Sequence, residues 1–271
     1  MNRLGIIKIC EVSTRHRTDD SRIFIKLSRS LRKICDNVFF IGAGEESLLK
    51  DGINLIGVPP CKKSISFCQI KKVLITYKRA IKENADLYHL HTPELIPLGL
   101  YLKLKHKKVI YDQHEFVNVT VRGWLLLRAL RLFLKHFFWW LEGLAYRYFD
   151  LIVCNTEGIY EVSRGNKCVV ANFVDVDLIE KIDYKKNKTF SVVYAGGLSL
   201  DRSIYDLVES IGELNKEGFK VHLDLMGRWE EGLEEKCKAL EGWRYTKYHG
   251  LLDPIDVYTI MKTCHIGISV L

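Results

Sequence analysis

Two short clusters in this chain combine side chains able to move protons or hold sugar hydroxyls and phosphates. They are His89-Leu90-His91-Thr92-Pro93-Glu94-Leu95 and Tyr111-Asp112-Gln113-His114-Glu115. An imidazole can exchange hydrogen bonds with a hydroxyl or a phosphate near neutral pH, and a nearby carboxylate can orient it or accept a proton itself. Each cluster closes a short apolar run, so in an α/β sheet both project from the carboxyl ends of neighbouring strands, where such folds place ligands. His89 and His91 flank Leu90 and therefore share one strand face. The break at Thr92-Pro93 favours His91 as the functional member, with His89 a satisfied core histidine. His114 and Glu115 extend the same rim, although Glu115 reads equally well as a helix-capping carboxylate. The spacing of these histidines matches none of the usual ligand patterns, so no metal is expected.

A second cluster lies further along, in Ala195-Gly196-Gly197-Leu198-Ser199-Leu200-Asp201-Arg202-Ser203. Paired glycines after a strand let the backbone approach a ligand, and the helix that follows aims its free N–H groups at the same place, which suits a diphosphate. Arg202 adds a delocalised cation; the alternative is a tight turn with a solvated arginine. Near the start, the segment Ser13 to Phe24 reads as a loop on the same sheet edge. It offers Arg15, Arg17 and Arg22 to phosphate, with Asp20 or Ser21 as an N-cap.

Strand-like and helix-like runs alternate along the chain, the pattern of parallel sheets covered by helices. Strands are expected near 5–12, 36–42, 53–58, 86–91, 108–112 and 150–154, and helices near 20–34, 66–83, 94–105, 124–148 and 156–164. These make a first domain, 1–175. A polar stretch over 181–188 reads as a linker. A second α/β unit, 189–271, follows and stops on the strand His265 to Leu271, which no helix covers. The second domain is therefore expected to be incomplete.

With 271 residues, 48% of them hydrophobic, and 5 prolines, the chain is long enough for two globular domains. Its 8 cysteines are scattered without a C-x-x-C pair and read as reduced core fillers of a cytoplasmic protein. The opening residues read as a short strand interrupted by Lys8, so no secretory signal is expected. A net charge of +8 points to a polyanionic partner. Nucleic acid is not expected, because no aromatic-basic strand motif is present.

The segment from Arg122 to Phe149 is the most hydrophobic in the chain, yet charges interrupt it too often for a membrane span. Arg128, Arg131, Lys135 and Glu142 recur on one side of a helix, with leucines and aromatics over the rest. This suits a core helix with a basic stripe, or an interfacial helix whose arginines and Trp139-Trp140 meet anionic headgroups. The second reading is favoured, which would place the protein peripherally on the inner face of the cytoplasmic membrane.

Taken in order, several segments resemble the retaining glycosyltransferases of family 4, particularly the bacterial branch that builds capsular and other surface polysaccharides. They are Asp20 to Phe24, His89 to Leu95, Tyr111 to Glu115, Asp150 to Thr156, Val170 to Phe173, Val193 to Leu198 with Asp201-Arg202, Leu225 to Arg228, and His249 to Leu251. The resemblance implies a GT-B fold, two Rossmann-like domains facing across a cleft. It implies that a nucleotide-sugar binds the second domain through Gly196, Gly197, Arg202, Gly227 and Arg228. It also implies that His91 approaches the donor sugar and that a glycolipid or oligosaccharide acceptor binds the first domain, near Arg22, His114 and Glu115. No cofactor is implied, the nucleotide-sugar being a substrate. Two departures stand out: Thr92 occupies a position that is usually acidic in the family, and Ser203 one that is usually glycine. Family members also continue past Leu271 into an acidic segment. A truncated, non-catalytic membrane-surface protein and a sugar-nucleotide epimerase are the competing readings.

Overall fold

The computed structural model describes residues 7–59, 67–114, 128–174 and 176–270. It divides into two compact units, Met1–Phe173 and Val174–Leu271.

Among the described residues, eight strands of the first unit form one sheet. They are β1 (Lys8–Arg17), β2 (Asn37–Ala43), β3 (Ser47–Lys50), β4 (Ile53–Val58), β5 (Leu87–Leu90), β6 (Lys108–Gln113), β7 (Leu151–Cys154) and β8 (Lys167–Val169). Their order is β3-β4-β2-β1-β5-β6-β7-β8, parallel except for the β3–β4 pair. The chain winds outward from β1 in both directions, so the gap between β1 and β5 is the topological switch point, where open α/β sheets bind ligands.

The strands read as continuous apolar runs because helices cover them on both faces. On one face Cys10, Val12, Tyr88, Leu90, Val109 and Tyr111 join a core with Phe138, Leu141, Ala145 and Phe149. Those last residues belong to or follow a long helix, Arg128–Tyr148; two further helices, α2 (Phe67–Glu83) and α3 (Ile96–Leu104), supply Ala80 and Leu98 to the same core. On the other face Ile9, Val38, Phe40, Ile53 and Leu55 pack against Ile23 and Phe24.

Ile23 and Phe24 sit in a π-helix, Ser21–Ser28, which passes into the short α1 (Arg29–Arg32). The expected single helix over 20–34 is thus wider in its first half; Ile25 N donates to Asp20 O, five residues back, at 3.2 Å. Asp20 caps this helix, accepting from Arg22 N and Ile23 N. The expected loop over Ser13 to Phe24 is shorter than anticipated, because β1 continues to Arg17.

The second unit holds a parallel sheet in the order β11 (Thr246–Tyr248), β10 (Val221–Met226), β9 (Phe190–Ala195), β12 (Ile266–Gly267). The helix Ile204–Lys216 packs on one face through Ile204, Val208 and Ile211. The helix Pro254–Thr263 packs on the other, with Val257 and Ile260 against Val193, Met226 and Cys264.

Six cysteines among the described residues are free thiols, most of them buried as expected. Cys68 departs from that expectation: it is disulfide-bonded, and as an exposed residue in the first turn of α2 it has no core to fill.

Candidate functional site

Strand register assembles a buried polar cluster at the switch point. Glu11 of β1 lies opposite His89 of β5, and Leu90 opposite Tyr111 of β6. One step further, His91 reaches the level of Asp112. Side chains alternate along each strand, so Glu11, His89, His91 and Asp112 share the face that the π-helix covers. Tyr111 and Gln113 turn to the opposite face.

The distances are short. His91 Nδ1 lies 3.3 Å from Asp112 Oδ2, and His114 Nε2 lies 3.3 Å from the same oxygen. The two imidazole nitrogens are themselves 3.3 Å apart. Across the switch point, Glu11 Oε1 stands 3.7 Å from His89 Nδ1 and 3.8 Å from His91 Nε2. Those separations are too long for hydrogen bonds. The π-helix closes the cluster from above. Arg22 donates through one terminal nitrogen to both Asp112 oxygens at 3.2 Å and to Val170 O, and Ser28 donates to Glu11 Oε2.

Burial and the neighbouring charged groups compete to set the protonation of these groups. Burial pushes the Asp112 carboxyl up, but hydrogen bonds from His114 and His91 outweigh it and hold it well below its ordinary value. Glu11 is likewise held low, His89 and His91 overcoming the desolvation. Burial lowers His89 and takes His16 down to about 4. Burial also opposes charge on His91, yet Asp112 and Glu11 together raise it to about 9. Two buried carboxylates thus face two cations, Arg22 and protonated His91, the pairing that buried charge demands.

His91 is placed where the sequence suggested, in the middle of this cluster, with His114 at its rim. His89 is not a satisfied core histidine. It shares the cluster face, its ring lies 4.3 Å from that of His91, and its Nε2 has no hydrogen-bond partner. Arg22 reaches Asp112 instead of standing free for phosphate. Arg15 pairs with Glu94 and Arg17 with Asp19. Glu115 lies outside the described residues. Sequence reasoning missed Glu11 altogether, although a carboxylate inside the apolar run Ile9 to Val12 was a readable signal.

In the second unit, β9 runs into Gly196-Gly197 and a short 3-10 turn, Leu200–Arg202, before the helix that starts at Ile204. The loop after β10 is stitched to it: Gly196 N donates to Met226 O at 3.0 Å and Leu198 N to Arg228 O at 2.9 Å. Gly227 has φ +141°, and a Cβ there would lie 1.7 Å from Gly196 O. Only glycine fits, so Gly196 and Gly227 form one joint. Gly197 and Arg228 are exposed, and Arg202, also exposed, donates to Val270 O. Gly196, Gly197, Gly227 and Arg228 therefore meet at one sheet edge, with Arg202 one turn away.

The long helix departs from its expected pattern. Lys135 is exposed, but Glu142 is only 4% exposed. It accepts from Tyr111 Oη at 3.3 Å and Gln113 Nε2 at 3.2 Å, so the expected polar stripe turns inward where β6 offers donors. Trp139 and Trp140 are 69% and 57% exposed. Arg128 and Arg131 belong to the helix, and their side chains lie outside the described residues. Among the described residues, no helix is long and apolar enough to cross a membrane.

Comparison with known proteins bears on this arrangement. The family model described as Glycosyltransferase Family 4 matches residues 21–178. No curated protein sequence matches the chain. Among solved structures, sucrose-phosphate synthase from Thermosynechococcus elongatus superposes with a TM-score of 0.67 at 12% identity, covering 96% of this chain and 74% of that one. Anabaena HepE, in complex with UDP and glucose, gives 0.61 at 16% identity over 96% and 73%. UDP-N-acetylglucosamine 2-epimerase from Rickettsia bellii gives 0.57 at 9% identity over 98% and 75%. At such identities the likeness concerns the fold, two Rossmann-like α/β units.

Proposed function

Because the chain belongs to glycosyltransferase family 4, we propose that this glycosyltransferase moves a sugar from a nucleotide-sugar donor to a lipid-linked or polysaccharide acceptor. In this reading the anomeric configuration is retained and the product enters surface polysaccharide. The observation that carries the reading is the family match across the unit holding His91, supported by the glycine joint and Arg202 on the other unit.

The second unit would take the donor. Exposed Gly197 leaves its backbone open to a diphosphate, and the N-terminus of the helix Ile204–Lys216 contributes its positive dipole end. Arg202 and Arg228 add cations where negative charge grows as the glycosidic bond breaks, and stabilising that charge lowers the barrier. The first unit would take the acceptor, near His91 and His114. The acceptor hydroxyl attacks the same face that the phosphate leaves, its proton passing to the departing phosphate.

Support for a membrane-surface location comes from the exposed Trp139 and Trp140 beside Lys135 and from the net charge of +8. An anionic inner leaflet would then present a lipid-linked acceptor to the enzyme. The epimerase reading shares the fold but not the family match.

Calorimetric titration of the full chain with UDP- and GDP-sugars, beside Arg202→Ala, tests the proposal. Saturable binding to a donor, weakened at least tenfold in the variant, is expected. Absence of binding to every donor, or equal binding by both proteins, rejects the donor site.

A further inference from the structure

The triangle of His91 Nδ1, Asp112 Oδ2 and His114 Nε2 has a geometry that proton sharing alone does not explain. All three edges measure 3.3 Å. A charge-assisted N–H···O bond closes to about 2.7–2.9 Å, so these contacts are long for ion-pair hydrogen bonds in a buried place. They are the right length for something else. In a tetrahedral complex with bonds of about 2.0–2.1 Å to nitrogen and oxygen, neighbouring ligand atoms stand about 3.3–3.4 Å apart. We propose that His91, Asp112 and His114 form a divalent-cation site, with zinc as the fitting ion.

The surrounding atoms support this. Two nitrogens and one carboxylate oxygen suit zinc rather than magnesium or calcium, which prefer oxygen cages. Binding at Nδ1 leaves the proton of His91 on Nε2. That buried nitrogen has no hydrogen-bond partner, and neither has buried Glu11 Oε1, 3.8 Å away. The two face each other at a distance too long for a hydrogen bond, so Glu11 acts on that ring through its charge. Arg22 donates to both oxygens of Asp112 at 3.2 Å and holds the carboxylate in place. His114 keeps 16% of its side chain exposed, the most of the three residues.

The site shares His91 and His114 with the acceptor side of the proposed function, and its test does not use sugar transfer, so either reading can fail without the other. The chelator-stripped full chain is titrated with Zn²⁺ by calorimetry, and with Co²⁺ by visible absorption. One equivalent bound, with the intense visible bands of tetrahedral cobalt, is expected. His114→Gln and Asp112→Asn, each checked for native circular dichroism, should bind at least 100-fold more weakly. His16→Gln, outside the triangle, should bind as the parent does. A stripped parent that binds no stoichiometric Zn²⁺ overturns the proposal. So do folded His114→Gln and Asp112→Asn variants that bind as tightly as the parent.

Discussion

At the scale of single residues the first unit is governed by buried charge. Asp112 is fully buried, and Arg22 supplies its fixed cation at 3.2 Å. Arg22→Met should therefore cost about 3–5 kcal/mol in urea unfolding, mostly from leaving a carboxylate uncompensated. Adding Asp112→Asn should return part of that loss; a double variant costing the sum of the two single variants would show that the pair is not coupled. Glu142 makes the opposite case. Burial raises its carboxyl to about 7, against an ordinary 4.5. Its contribution is full below the ordinary value and is lost as pH rises through about 7. Glu142→Gln should accordingly stabilise by up to about 3 kcal/mol near pH 8 and by little near pH 5, read as the pH dependence of unfolding. His91 and His114 were legible in the sequence because they end apolar runs, and Glu11 left a signal in its apolar run that went unread. The part His89 plays and the inward turn of Glu142 were not legible, since each depends on a neighbouring strand or helix far away in the chain.

At the scale of elements, the alternation of strands and helices was readable almost throughout, because apolar period survives without tertiary context. What was not readable is local geometry that tertiary contacts impose. The π-helix is an example: its widened turns let both Arg22 and Ser28 face the carboxylates below, and nothing in the residue pattern announces it. Ser203 is another. It holds φ +49° between the 3-10 turn and its helix, a left-handed conformation that costs a residue with a Cβ about 1–2 kcal/mol. Ser203→Gly should raise the thermal midpoint, by the equivalent of roughly 1 kcal/mol, while retaining donor binding. The helix Arg128–Tyr148 carries its own test. Replacing exposed Trp139 and Trp140 with serine should reduce co-sedimentation with phosphatidylglycerol vesicles at least tenfold, at a stability change within about 0.5 kcal/mol. Unchanged sedimentation would assign that face to something other than a membrane.

For the molecule as a whole, two units each with its own core imply two unfolding transitions. A nucleotide diphosphate at about 100 times its dissociation constant should stabilise the donor-binding one by about 2.7 kcal/mol and leave the other in place, a difference that scanning calorimetry resolves. A shift of both together would mean that the units melt as one. Finally, the winding of the first sheet outward from β1 fixes when the polar cluster can exist. Arg22 and Asp112 are 90 residues apart, and Thr14 and Thr92, which bond beside them, 78. Each such pairing closes a long loop before any contact compensates it. A nascent chain therefore carries Glu11 and Arg22 in water until β5 and β6 emerge and dock. The chemistry-bearing end of the sheet is among the last parts to form, and its assembly marks the point at which the central strands have found their order.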